Sequence, residues 1–73
     1  MHTTQLAHGK ITNHDELTIE LLEPPGRSAA IRITWPEKAS ITTPAQFDTV
    51  VATTMRLLSA AVIELAALRR RRL

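Results

Sequence analysis

The stretch from Thr43 to Arg72 is written as one continuous amphipathic helix, and no other part of the chain restricts the fold as strongly. Thr43 can act as N-cap, Pro44 fits the first helical position where its missing N–H costs nothing, and Gln46 completes a capping box. No Gly or Pro follows from residue 45 to the end, and Arg69 to Arg72 suit the negative pole of the macrodipole. At 100° per residue, Phe47, Val50, Val51, Thr54, Leu57, Leu58, Ala61, Val62, Leu65 and Leu68 fall within an arc of about 160°. Ala60, Ile63 and Ala67 lie outside that arc, so the second half is apolar on more than one side.

A helix from Pro44 to Arg71 would be roughly 42 Å long, whereas strands of six or seven residues span only about 20–23 Å. Short strands can cover Phe47 to Leu58. The segment Ala60 to Leu68 is then expected to be surplus to the chain's own core and to need a partner, most simply a second copy. The expected interface is Leu58, Ala61, Val62, Ile63, Leu65 and Leu68.

The rest of the chain supplies the covering strands. Leu17, Ile19 and Leu21 alternate with Thr18, Glu20 and Leu22, the period of a half-buried strand. Pro24-Pro25-Gly26-Arg27 is a type II turn signal, with proline setting the first corner and glycine the positive φ. Ala29 to Trp35 follows, with Ile31, Ile33 and Trp35 on one face, and Pro36 ends it. The two segments read as an antiparallel hairpin. A turn over Pro36-Glu37-Lys38-Ala39 follows, and a third strand, if there is one, is Ser40 to Thr42 around Ile41. Residues 1–13 show no helical period and read as a flexible N-terminal segment, with at most a short strand near Lys10 to Thr12. The expected fold is α+β: residues 14–73 form one domain, the hairpin packing Ile19, Ile31, Ile33 and Trp35 against Phe47 to Leu58.

Composition supports assembly. Seventy-three residues with no cysteine, one Trp, one Phe and no Tyr make a marginal core without disulfides or thiolate metal sites. Oligomerisation is the stabilising device left. Arginine outnumbers lysine seven to two, a bias of GC-rich coding sequence that points to an actinobacterial or phage source. No signal peptide is visible, and a cytoplasmic protein is expected. The net charge of +2 is uneven: −3 over residues 1–26, +1 over 27–48 and +4 over 49–73.

Catalytic, cofactor and metal residues are not assigned. His2, His8 and His14 are spaced by six and share no face, and zinc needs ligands held by rigid elements. His14-Asp15 and the pair Glu20 and Glu23 do not form a recognisable acid–base constellation, and nucleophile-elbow, phosphate-loop and zinc-protease motifs are missing. A non-enzymatic dimeric adaptor or regulator that binds a protein is the leading reading.

Two alternatives remain. Arg69, Arg70, Arg71 and Arg72, with Arg27 or Arg32, could contact nucleic-acid phosphates; the bland reading of the run is a solvated helix end. Residues 49–68 followed by arginines could associate with a membrane, against which stand Arg56 and Glu64, at about 2.5–3.5 kcal/mol for an acidic or basic side chain near a bilayer centre. In a homodimer, antiparallel helices would keep the two arginine runs apart.

Ile31-Arg32-Ile33-Thr34-Trp35-Pro36, followed by Thr43-Pro44-Ala45-Gln46-Phe47 and an Ala/Leu-rich helix, resembles small uncharacterised proteins of mycobacteria and their phages. The likeness covers about half of the chain and its motifs are structural. It implies no activity, but implies a phage or mobile-element accessory protein that binds a host or phage protein.

Overall fold

A computed structural model describes residues 2–36 and 41–72. Their order is β1 (His2–Lys10), β2 (Glu16–Glu23), β3 (Ala30–Thr34) and α1 (Pro44–Arg71). The sheet has the order β1-β2-β3 with both pairings antiparallel, so β2 is central. The architecture is α+β, a three-stranded sheet with one long helix on one face.

Local chemistry sets the ends of these elements. The Gln46 N–H donates to Thr43 Oγ1 at 3.2 Å, while Gln46 Oε1 accepts from the Thr43 N–H at 3.1 Å and the Thr42 N–H at 2.7 Å. This is the capping box expected from the sequence. In the β2–β3 turn the Arg27 N–H donates to the Pro24 carbonyl at 3.3 Å, and Gly26 takes φ +68°. That value belongs to the third position of a type II turn.

Residues 1–13 were expected to be flexible, and here the fold differs. His2–Lys10 is a nine-residue strand paired with β2 from His2↔Glu23 to Lys10↔Glu16. The turn beyond it is closed by Thr12. Its hydroxyl accepts from the Asp15 N–H at 3.0 Å and donates to Asp15 Oδ2 at 2.6 Å, while the Ile11 N–H donates to the Asp15 carbonyl at 2.9 Å. The register shifts between Gln5 and Ala7, a bulge that allows Leu6 and Ala7 both to pack toward the helix. The third strand therefore comes from the N-terminus. The turn and strand expected after Pro36 fall partly on residues 37–40, outside the described residues, and Ile41 and Thr42 lie in no strand.

The helix packs on β1 and β2 and does not reach β3. The core is Leu6, Ile11, Leu17, Ile19 and Leu21 from the sheet side and Val50, Leu57 and Ala61 from α1, with Leu65 and Leu68 packed against it. This corrects two expectations. Ile31, Ile33, Trp35 and Phe47 do not close the core and are all exposed. Ala60 to Leu68 is not surplus, because Ala61 is buried and Leu65 and Leu68 cover the far end of the sheet. The physical reason is β1. Its nine residues span about 30 Å at 3.3 Å per residue, much longer than a short hairpin strand. With β1 beneath it, the helix finds apolar cover along most of its length.

Gly9 shows how closely α1 approaches β1. A Cβ at this position would lie 3.0 Å from Leu57 Cδ2, which real Cβ contacts essentially never undercut. Gly9→Val should therefore push Leu57 away and destabilise the fold by about 1–3 kcal/mol through overpacking. Urea unfolding would register this as a lower midpoint, and an unchanged midpoint would contradict the close approach.

Candidate functional site

Paired residues on neighbouring strands share a face of the sheet. Ile33 lies opposite Ile19 and Ile31 opposite Leu21, so both β3 isoleucines face the helix side. Ile19 and Leu21 are buried under α1, whereas Ile31 is 47% exposed and Ile33 38%. The difference follows from position: α1 sits over the other two strands.

The wall beside this uncovered strand is the flank of α1. Val51, Met55, Leu58 and Val62 recur at intervals of four, three and four residues. They form a stripe about 100° around the helix from the core-facing Val50, Leu57 and Ala61. All four are exposed, Val62 to 65%. Three hollows follow one another along this flank. Trp35, Pro36, Ile41, Phe47 and Met55 line the first, Ile31, Leu58 and Val62 the second, and Ala29, Leu65 and Leu68 the third. Together they make an apolar trough running along the helix beside β3. The Thr54 hydroxyl, in the wall of the first hollow, is buried without a hydrogen-bond partner among the described residues.

The six interface candidates separate into two groups. Leu58 and Val62 line the trough, and Ile63 is exposed at 68% on another side of the helix. Ala61 is buried in the chain's own core, and Leu65 and Leu68 pack partly buried against it while bordering the third hollow. The trough residues missed as surface are Ile31, Ile33, Trp35, Phe47, Val51 and Met55. Their signal was the width of the apolar arc on α1, which exceeds what one face of a narrow sheet can cover.

The arginine run is divided. Arg72 Nη1 and Nη2 donate to Glu23 Oε2 and Oε1 at 2.5 and 2.8 Å, tying the helix end to the end of β2. Arg71 Nη2 donates to Glu64 Oε1 at 3.2 Å. Arg69 and Arg70 make no ion pair among the described residues. Arg32 donates through Nε and Nη2 to Glu20 Oε1 at 3.1 and 2.9 Å, on the sheet face away from α1. Arg27 lies in the β2–β3 turn, at the end of the sheet where Glu23 meets Arg72.

The hydrogen bond from Arg72 holds the Glu23 carboxyl below its ordinary range, and the same bond raises Arg72. A carboxylate depressed in the folded state contributes stability above its unfolded pKa and loses it as pH falls through the folded value. Docking of the helix end on β2 should accordingly be complete at neutral pH and weaken in acid, below the ordinary glutamate range. A carbon-13 titration should show Glu23 with a lowered pKa in the native protein and an ordinary one in Arg72→Gln. Equal values in the two proteins would contradict the pairing.

His2 and His8 lie on β1 and His14 in the following turn. Among the described residues no three His, Cys, Asp or Glu side chains converge as metal ligands. Asp15, next to His14, is bonded to the Thr12 hydroxyl. Comparison of the chain with protein-family models, curated proteins and solved structures finds no match.

Proposed function

We propose that this chain is a small non-enzymatic interaction module, an adaptor or regulator that works as a homodimer. The observation that carries the reading is the apolar trough between α1 and β3. Ile31, Ile33, Trp35, Phe47, Val51, Met55, Leu58 and Val62 together expose at most roughly 800 Å², backbone included, and half of that lying in the trough would match the 300–600 Å² of the largest apolar patch on a typical monomer. Exposed patches of that size mark association surfaces. The resemblance of the Ile31–Pro36 and Thr43–Phe47 segments to small mycobacterial and phage proteins fits an accessory role, in which the dimer engages a host or phage protein. Sedimentation at micromolar concentration should give twice the chain mass, and a monomer would refute the dimer.

The nucleic-acid reading is weaker because Arg71, Arg72 and Arg32 are already engaged by carboxylates. That leaves Arg69, Arg70 and Arg27 as candidates for phosphate contacts. Absence of DNA and RNA binding at about 50 mM salt, where such contacts are strongest, is the expected result. A membrane reading draws on α1, which is long and apolar enough to cross a bilayer by length and composition. A mostly buried core helix passes the same test; here 17% of the apolar window is buried, and Val50, Leu57 and Ala61 are used in this fold's core. Co-sedimentation with anionic vesicles would favour the membrane instead.

A further inference from the structure

Neighbouring strands lie about 4.8 Å apart and packed helices about 8–10 Å apart, so one helix covers about two strands. α1 covers β1 and β2, and among the described residues no helix lies over β3. The trough is therefore a seat for one more helix, with Ile31 and Ile33 as floor and the Val51–Val62 stripe as wall. The single helix among the described residues is already packed on β1 and β2. Resting on the homodimer reading, we infer that each copy's α1 fills the seat over β3 of the other.

The wall and the occupant are then the same surface. A twofold contact requires a patch that is complementary to itself, and a two-helix seam requires apolar residues at alternating intervals of three and four. The stripe Val51, Met55, Leu58 and Val62 meets both conditions. Area permits it: the exposed surface of these eight residues has an upper limit of roughly 800 Å² per copy, which is what a standard stable interface buries.

Charge agrees too. No charged side chain stands at the stripe positions or at Ile31, Ile33 and Trp35, and the charge of β3, Arg32, is held on the other face by Glu20. Pairing of two β3 edges would instead produce six strands under two helices, leaving the apolar floor of both copies open.

The absence of native cysteine makes a direct test available. Tagged Ile31→Cys and untagged Met55→Cys proteins are mixed in equal amounts and treated with a short bismaleimide. A second pair, Ile33→Cys with Leu58→Cys, guards against a variant that fails to fold, and Thr18→Cys on the outer sheet face serves as control. The inference expects strand-to-helix cross-links between copies, well above the control. Ile31-to-Ile31 cross-links alone would show edge pairing and overturn it. A dimeric mass without strand-to-helix cross-links would overturn this seat while leaving the homodimer standing. A monomeric mass would overturn both.

Discussion

Val62→Glu should convert the dimer to a monomer while leaving the fold intact. Val62 is 65% exposed in the single chain, so a glutamate there stays in water and costs the monomer little. In the seat over β3 the same carboxylate would be buried without a partner, at about 3–5 kcal/mol. That is a loss of at least about 100-fold in affinity. Sedimentation should show the chain mass at concentrations where the parent is dimeric, with an unchanged far-UV circular dichroism spectrum. A dimer of undiminished affinity would place the interface elsewhere on the molecule. Leu65, which reads in the sequence as the natural position for this experiment, is unsuitable. It packs partly buried on the chain's own core, so a charge there would destabilise the domain as well as any contact between two copies.

Leu17→Ala should be the most damaging single truncation. Leu17 is 0% exposed on the central strand, paired with Gly9 of β1 and buried in the core with Val50 and Leu57 of α1. Removing its isobutyl group should cost about 2–5 kcal/mol. A domain of this length has a total stability of order 4–11 kcal/mol at 0.05–0.15 kcal/mol per residue. The variant should therefore be substantially unfolded at ordinary temperature, or show a much lower urea midpoint. Ile31→Ala is the informative contrast. If β3 completed the core, the two substitutions would be comparable; with Ile31 outside it, the monomer should lose much less. In the monomeric Val62→Glu background, where no second copy covers β3, a loss as large as that of Leu17→Ala would mean that the chain's own α1 covers β3.

The elements legible in the sequence are those whose signals are local. Thr43-Pro44-Ala45-Gln46 specifies the helix start because the capping box is built from four consecutive residues. Pro24 to Arg27 specifies the hairpin turn for the same reason, and β2 shows its alternation openly. β1 was hidden. Its bulge interrupts the period of two, Gly9 breaks the apolar pattern, and its stability comes from pairing with a strand beyond the turn. The Thr12–Asp15 turn was the readable trace of that pairing, since hydroxyl and carboxylate side chains spaced in this way close tight loops.

The place of β1 decides the packing of everything around it. With residues 1–13 flexible, the sheet is a hairpin with at most a short third strand, and that arrangement needs Ile31, Ile33 and Trp35 under the helix. Once β1 takes that place, those three side chains face an open trough, and Ala61, Leu65 and Leu68 gain partners within the chain. The apolar surplus lies along the flank of α1 from Val51 to Val62, and not on the core-facing side of its second half.

By itself the sequence determined that the chain is α+β, where its helix begins and ends, and that it carries more apolar helix surface than it can bury. Periodicity and capping are properties of neighbouring residues, and they survive without knowledge of the rest. Only the tertiary structure decided which side of the helix is left over. That choice depends on which two of three strands lie beneath α1, a contact between the first ten residues and the last thirty that no local pattern encodes.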